Sequence, residues 1–430
     1  PAGSDSIGPN YEAQQAPLAY IVLAPLDRLL SGLPLPRRVL LLRLFAAISS
    51  TVLLFFGAAT LCRELNLAEP FTTLVLFTIF SSEMLYATTA HVANDWLAVP
   101  IAAWVFATWA AFLKKPKLGT ILPATAWLAA GLGTKAYFLA FALWAAGIVG
   151  WTLWRRRIRL KTALASAILV LVLAGPWYAR NMILYRNVSG TLQEFNGIGI
   201  EQTLAAAVRI PWPAVTGFLA RGSIWTGNGS FTSYSITTLN IMLALLALAI
   251  AAWVRHRRAM QPAEKAVFAG IVLFSAGIAY ACCAGFADSH GEFPSTGPWY
   301  SQSLLAPVMV LAYLGMSRSN RIGRMLAICT LALWNWVLFV TWTIKLFPMY
   351  SGGGTAPMRL GDVWRWYAQG AHRHAADLSL TALAQAPVLY AGLLASVALS
   401  LLLSVVLSSL LPEGPQLMQG ENPISHDEVR

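Results

Sequence analysis

Residues 38–62 read RVLLLRLFAAISSTVLLFFGAATLC, and this stretch decides the fold class. Its only charged side chains, Arg38 and Arg43, lie at its beginning. The remainder is apolar over about the 20 residues that an α-helix needs to cross the hydrocarbon core of a membrane. Backbone amides find no water in lipid, so a lone segment there must satisfy its own hydrogen bonds as a helix. The stretch therefore predicts a transmembrane helix.

Apolar stretches of near-spanning length recur along the rest of the chain. They cover residues 70–90, 95–113, 119–134, 137–154, 162–179, 236–254, 266–284, 300–316, 324–344 and 386–411. The 430-residue chain is 57% hydrophobic and 11% charged, whereas soluble domains are about 25% charged. This composition excludes a soluble enzyme, a disordered tail and a disulfide scaffold. We therefore expect an all-α, polytopic transmembrane helix bundle with about 11 spans.

The same pattern predicts the organisation of the chain. Residues 1–37 are the remainder of a first external loop with an interfacial helix, because the apolar stretch at 18–30 is too short to span. Residues 38–411 form the transmembrane domain, with long external loops at 180–235 and 345–385. Residues 412–430 are a cytoplasmic tail.

Charge predicts the orientation. The net charge is +12, and Lys and Arg crowd five short loops that begin near residues 63, 114, 155, 255 and 318. Short basic loops are typically cytoplasmic, so the long loops face outward and the positive charge needs no nucleic-acid partner. Arg37, Arg38 and Arg43 violate this rule locally, since they begin a span on the outer side. A helix before residue 1 would place both termini on the cytoplasmic side of the membrane.

Polar residues at the predicted outer face are the candidates for chemistry. Glu12 and Gln15 precede the short apolar stretch, and a polar cluster there could hold a lipid headgroup or simply begin a helix. His91, Asn94 and Asp95 lie between two spans. Asp95 could act as a base or ligand for an acceptor hydroxyl or amine. Alternatively, Asn94 or Asp95 could simply cap the following helix.

Two basic segments complete the set. Lys135 follows small residues beside a short span, which suggests a cavity with an anionic guest, or else a lysine that snorkels to the interface. Arg180 and Asn181 follow Pro176 and Trp177 at the end of another span. Arginine can bind phosphate through two hydrogen bonds, or the segment can be a plain interfacial anchor. Together these acids and cations suit chemistry on a lipid phosphate, because such chemistry needs a carboxylate for the nucleophile's proton and cations for the departing phosphate.

These segments resemble, in chain order, motifs of the C-type (GT-C) integral-membrane glycosyltransferases, the group that contains dolichyl-phosphate-mannose–protein mannosyltransferases and bacterial relatives. EAQQAPLAY (12–20) resembles E-x-x-Q-P-P-L-Y-Y, NDWLA (94–98) resembles N-D-x-L-A, GLGTK (131–135) resembles G-L-x-x-L-T-K, PWYARNMILY (176–185) resembles P-W-x-x-R-N-x-x-x-Y, and PWY (298–300) with LLAP (304–307) resembles R-Y-L-L-P. Ala16 replaces the first proline of the usual pair, and Trp299 replaces the arginine before Tyr300.

The resemblance implies an inverting transfer of a sugar from a polyprenyl-phosphate donor. The acceptor would be a lipid, glycan or protein at the non-cytoplasmic face, and the enzyme would lie among the lipids of a bacterial inner membrane with its site facing the periplasm. Asp95 matches an acidic position of the family, and Glu12 and Asp5 are the candidate substitutes for its first-loop acid. Lys135 and Arg180 match basic positions near the donor phosphate. The remaining substrate-binding candidates are Gln15, His91, Asn94, Asn181 and Tyr300.

Metal dependence and two rival functions stay open at this point. Carboxylates near a phosphate could hold Mg²⁺ or Mn²⁺, although the sequence shows no ligand set. A transporter or lipid flippase would need a polar path near the middle of the bilayer. A non-catalytic relative would lack a pocket that joins Asp95, Lys135 and Arg180.

Overall fold

Helices build the whole described part of the protein. The structure is a computed structural model that describes residues 15–189, 197–225, 234–292 and 296–346, with residues 362, 365 and 368 besides. Within these ranges the chain forms no β-strand, so the predicted all-α class is confirmed. Glu12, the predicted span 386–411, the predicted tail 412–430 and nearly all of the loop 345–385 lie outside the described residues.

The bounds of the helices follow in chain order. They are α1 (Leu18–Leu29), α2 (Leu35–Glu64), α3 (Phe71–Phe80), α4 (Glu83–Thr89), α5 (Asp95–Lys114), α6 (Leu118–Leu132), α7 (Phe138–Trp154), α8 (Leu160–Leu173), α9 (Gly175–Tyr185), α10 (Ile200–Ala207), α11 (Trp212–Ile224), α12 (Ile236–Arg255), α13 (Pro262–Asp288), α14 (Leu305–Ser317) and α15 (Asn320–Val340). Short 3₁₀ turns cover Arg257–Ala259 and Pro298–Leu304, and a π-helical turn covers Thr341–Leu346.

Several of these helices can cross a membrane. By length and composition α2, α5, α12, α13 and α15 each suffice alone, and three bent pairs suffice when each pair is one span. The pairs are α3 with α4, α8 with α9, and α10 with α11, bent by 57°, 51° and 98°. The chain is therefore an integral membrane protein. The described residues give five to eight such spans, so the expected number of about 11 stays a prediction.

Two stretches expected to be single spans are broken. In the stretch 70–90, Ser81 lies between α3 and α4, and its hydroxyl donates to the carbonyl of Phe77 at 2.7 Å. The same kind of bond occurs inside the unbroken α5, where the Thr108 hydroxyl donates to the Trp104 carbonyl at 2.7 Å, so it does not by itself account for the break. In the stretch 162–179, Pro176 is the second residue of α9, a position that suits proline because the amides of the first helical turn have no partner within the helix. The stretch 300–316 also differs, since it begins as the 3₁₀ turn Pro298–Leu304 before α14.

α5 is the central helix of the bundle. In its apolar stretch 83% of the residues are buried, against 22% in α2 and 22% in α12. Small residues allow this burial, because membrane helices gain most from close backbone approach. A Cβ added at Gly57 of α2 would lie 3.1 Å from the Cβ of Ala103 in α5. α2 and α12 therefore leave most of their apolar stretches unburied.

The loops predicted to be cytoplasmic meet at one end of the bundle, here called the basic end. Contacts between them join Lys114 with Glu64 (3.5 Å), Asn66 with Gln261 (3.3 Å) and Arg318 with Glu264 (2.8 Å). α5 ends at the basic end with Lys114, and it begins about 30 Å away with Asp95. Its first turn therefore marks the opposite end of the bundle.

α1 lies against the beginning of α2 at this opposite end. It has 12 residues and is about 18 Å long, too short to cross the hydrocarbon core. Asp27 and Arg38 form an ion pair at 2.5 Å that joins α1 to α2. Ile21 and Leu29 are exposed on its outer surface. These features fit the interfacial helix expected in residues 1–37.

Candidate functional site

Asp95 and Lys135 form an ion pair between two helix ends. Asp95 is the first residue of α5, where the helix dipole favours a carboxylate. Lys135 lies in the turn between α6 and α7, and its Nζ is 2.5 Å from Asp95 Oδ1. The side chains are 13% and 12% exposed, respectively. A pair this shielded interacts more strongly than one in water, so the contact holds the α6–α7 turn against the beginning of α5.

Gly131 helps to shape the turn that carries Lys135. The Lys135 amide donates to the Gly131 carbonyl at 2.9 Å. A Cβ at Gly131 would clash with the ring of Phe138, so only glycine allows that ring to pack against the end of α6. Phe138 begins α7 and is fully buried. The turn is thus anchored on its apolar side, and Lys135 is directed towards α5.

Two tyrosine rings flank the Lys135 ammonium. Its Nζ lies 4.5 Å from the ring centroid of Tyr300 and 5.5 Å from that of Tyr137, within the range of cation–π attraction. The Tyr137 hydroxyl is 2.8 Å from the Ser303 hydroxyl. The hydroxyl of Tyr137 is therefore held in place beside the ion pair.

The 3₁₀ turn Pro298–Leu304 supplies Tyr300 and Ser303 and connects the site to α11. Gln302 is 2% exposed and its side-chain amide donates to the Ser223 carbonyl at 2.7 Å. Trp299, which stands where the resembling family has arginine, is 43% exposed. This position therefore supplies an interfacial aromatic ring rather than a second cation. The predicted external loop 180–235 thus includes α11, which packs on the site from one side.

Gln15 and Asn94 extend the site towards α1. The Asn94 side-chain amide donates to Gln15 Oε1 at 2.6 Å, and Asn94 is 2% exposed. The Leu18 amide donates to the Gly133 carbonyl at 2.8 Å, so the beginning of α1 is held against the α6–α7 turn. The capping interpretation of Asn94 is wrong. Asn94 is the N-cap residue of α5, but its side chain makes no capping hydrogen bond.

These residues form one group, called the polar cluster below. Its members are Gln15, Asn94, Asp95, Lys135, Tyr137 and Tyr300. The structure thus unites the predicted Gln15, Asn94, Asp95, Lys135 and Tyr300, and adds Tyr137. Sequence reasoning missed Tyr137, although its position two residues after Lys135 was a usable signal.

His91 lies at the edge of the polar cluster. Its side chain is exposed, and its pKa is lowered by partial desolvation and then by the positive charge of Arg43, while Asp95 raises it. Arg43 Nε donates to the Ala90 carbonyl at 2.6 Å, one residue before His91. The imidazole is therefore neutral at pH 7. Arg43 was not a candidate residue, although its violation of the charge rule singled it out.

Arg180 and Asn181 lie on α9 in an aromatic setting. The Arg180 guanidinium lies 4.6 Å from the Trp177 ring centroid and donates to Asn181 Oδ1 at 3.2 Å. Asn181 is 1% exposed. The Tyr178 hydroxyl donates to the carbonyl of Leu132, three residues before Lys135, at 3.0 Å. α9 therefore touches the element that carries Lys135, and a shared role of Arg180 and Lys135 stays a prediction.

A separate apolar groove of about 590 Å³ lies between α12 and α14. Its lining includes Leu243, Leu246, Ile250 and Val308, without a charged side chain. The residues described include no group of three His, Cys, Asp or Glu side chains placed to share a metal ion. The chemistry-bearing residues thus belong to the polar cluster rather than to this groove.

Comparisons with known proteins give one similar structure. No protein-family profile matches the chain, and no curated protein matches it. The solved structure of ArnT from Cupriavidus metallidurans bound to undecaprenyl phosphate is similar to it at 15% sequence identity and a TM-score of 0.47. The alignment covers 92% of this chain and 66% of that one, so the chain spans just under two thirds of the length of that protein.

Proposed function

We propose that the protein is a membrane glycosyltransferase that moves a sugar from a polyprenyl-phosphate donor to an acceptor at the non-cytoplasmic membrane face. The observation that carries this proposal is the shielded Asp95–Lys135 pair between two tyrosine rings, at the end of the bundle opposite the basic loops. The order of the motifs that resemble the GT-C family supports it. An acid and a cation in contact at a membrane boundary are the two groups that this reaction requires.

The proposed reaction uses the pair in two roles. The acceptor hydroxyl oxygen attacks the anomeric carbon, and its proton passes to Asp95. The bond between that carbon and the phosphate oxygen breaks, and its electrons stay on the phosphate, whose negative charge Lys135 stabilises. Attack opposite the leaving phosphate inverts the anomeric carbon. Lys135 must exchange part of its contact with Asp95 for the phosphate, so binding of the donor also frees the carboxylate to act as a base.

The surrounding residues position the substrates. Gln15 and Asn94 present amide groups to sugar hydroxyls, while Tyr300 covers the ammonium of Lys135. Arg180, with Asn181, is the second cation for the phosphate in this proposal, and His91 lies where a neutral imidazole can contact the acceptor. Glu12 is the proposed second acid. The roles assigned here belong to side chains alone, and Mg²⁺ or Mn²⁺ at the donor phosphate stays a prediction.

The rival transporter function finds less support inside the bundle. Two pairs of buried polar groups there bond across helices, Ser81 with Asn335 at 3.0 Å and Thr78 with Tyr313 at 2.5 Å. Such pairs join membrane helices rather than line a path. Glu83 is 8% exposed at the α3–α4 break. A non-catalytic relative remains the second rival, and transfer activity distinguishes it.

The test uses the full-length protein in proteoliposomes with a radiolabelled undecaprenyl-phosphate sugar and a panel of lipid, glycan and peptide acceptors. We expect labelled product from the wild type, and none from Asp95→Asn or Arg180→Ala. Asp27→Asn is the matched control, because Asp27 also pairs with a cation at 2.5 Å near this end but lies outside the polar cluster. Normal turnover by Asp95→Asn would refute the assignment, provided that all variants insert equally.

A further inference from the structure

Three exposed arginines lie together at the beginning of α2 and the end of α1. Arg28, Arg37 and Arg43 are exposed, and within the described ranges none of them forms an ion pair. Arg38 differs, because Asp27 neutralises it through two hydrogen bonds at 2.5 and 3.0 Å. Unneutralised positive charge is thus concentrated at the end of the bundle opposite the basic end. The charge rule predicts that this end has few Lys and Arg residues.

Arg37 heads an apolar stripe on the outward surface of α2. Positions 37, 41, 44, 48 and 52 recur at helical spacing and share one face. Leu41, Leu44, Ile48 and Val52 are 39%, 42%, 63% and 49% exposed. In a membrane protein an exposed apolar face of this kind contacts lipid acyl chains. The charge of Arg37 therefore lies where a phospholipid that covers this stripe has its headgroup.

Arg43 lies six positions further along the same helix, which is about one and two-thirds turns. The two Cα atoms are therefore about 10 Å apart, and Arg43 is turned about 120° around the helix axis from Arg37 and the stripe. The long side chain of Arg43 has to curve around α2 to meet the phosphate that Arg37 contacts. Only the Nε of Arg43 donates to Ala90, and its residue is exposed, so its terminal nitrogens can serve an external anion. Guanidinium groups suit phosphate oxygens because they donate paired hydrogen bonds.

We propose that Arg37 and Arg43 bind the phosphate of an anionic phospholipid whose acyl chain lies along Leu41, Leu44 and Ile48 of α2. Charge complementarity selects an anionic headgroup over a zwitterionic one, since these two arginines lack a carboxylate partner in the described part of the chain. α1, whose Ile21 and Leu29 are exposed, lies beside the same lipid. This proposal is independent of sugar transfer, because it concerns the lipid that surrounds the site and not a reacting substrate.

Native mass spectrometry of the purified full-length protein tests the proposal. The protein is titrated with phosphatidylglycerol or with phosphatidylcholine of the same acyl chains, and the dissociation constant of the first bound lipid is measured. Two arginines at an anionic headgroup predict a preference of about 30-fold for phosphatidylglycerol. Arg37→Gln with Arg43→Gln removes this preference, whereas Arg37→Lys with Arg43→Lys keeps most of it. If the double variant does not stay monodisperse, the single variant Arg37→Gln decides the question. Arg37 is exposed, so its replacement should leave the fold intact.

The control variant loses the same charge elsewhere. Arg63→Gln with Arg258→Gln removes two exposed arginines from the basic end, and we expect it to keep the preference. An equal loss in the control would show general charge attraction and overturn the proposal. A wild type without a preference, or a preference that survives Arg37→Gln with Arg43→Gln, would also overturn it. Sugar transfer can fail while this preference persists, so the two proposals are tested separately.

Discussion

The Asp95–Lys135 pair is expected to show strong energetic coupling in the free energy of unfolding. The perturbation is a double-mutant cycle built from Asp95→Asn and Lys135→Met. Breaking a fully buried pair costs about 3–5 kcal/mol, and an exposed pair contributes about 0.2–1 kcal/mol. The side chains here are 13% and 12% exposed, close to the buried limit. We therefore expect a coupling energy of about 2 kcal/mol, since part of the attraction offsets desolvation.

The matched reference is the Asp27–Arg38 pair, whose side chains are 38% and 32% exposed. Solvent screens it, so the cycle of Asp27→Asn with Arg38→Met should give a coupling below about 1 kcal/mol. The assay is unfolding in mixed micelles as the fraction of denaturing detergent rises, followed by tryptophan fluorescence and circular dichroism. A coupling between Asp95 and Lys135 no larger than that of the reference pair would refute the reasoning from burial.

Three further predictions concern other parts of the molecule. Glu264→Gln should lower the free energy of unfolding by about 2–4 kcal/mol, because Glu264 is fully buried and its loss of charge weakens the bidentate contact with Arg318. The same unfolding experiment in mixed micelles measures this change, and a loss below about 0.5 kcal/mol would contradict the prediction. Gly57→Val should lower the free energy of unfolding by about 1–3 kcal/mol, since the new valine side chain would meet Ala103 of α5. Gly147→Val is the control and should lower it less, because a Cβ added at Gly147 meets nothing within 4 Å. Thermal melting of the two variants measures the difference. The pKa of His91 is lowered in the folded protein, so as the pH falls below about 6.5 the unfolded chain takes up a proton at His91 before the folded protein does. Acidification from pH 7.5 to 5.5 should therefore lower the melting temperature of the wild type more than that of His91→Gln. Equal decreases in the two proteins would exclude this contribution.

The fold class follows from the sequence, but the helix breaks do not. Long apolar runs specify α2 and α5 directly, because lipid leaves the backbone few alternatives. At the α3–α4 break the Ser81 hydroxyl contacts the carbonyl of Phe77 and the side chain of Asn335 in a distant helix. Serine occurs inside intact helices as well, so its type alone could not reveal the break. The second break does carry a sequence signal, Pro176, which the predicted single span 162–179 did not use.

The candidate site was only partly predictable for the same reason. Motif order identified Asp95 and Lys135 as separate candidates, but their pairing depends on how the α6–α7 turn packs against α5, 40 residues away. Asn94 shows the limit most clearly. Its position predicted a helix cap, whereas tertiary contact directs its amide to Gln15. Tertiary partners can thus outweigh local preference where several chain segments meet.

Separating binding of the carrier lipid from chemistry tests the central claim most directly. Binding of undecaprenyl phosphate, the lipid that the reaction releases, and single-turnover transfer from its sugar-bearing form are measured on the same preparations of wild type, Asp95→Asn and Lys135→Gln. We expect Asp95→Asn to bind the carrier lipid as the wild type does and to transfer sugar about 100- to 10,000-fold more slowly, since it lacks the base. Lys135→Gln should lose affinity for the lipid phosphate itself. Wild-type transfer rates in Asp95→Asn, or unchanged lipid affinity in Lys135→Gln, would contradict a reaction centre at this pair.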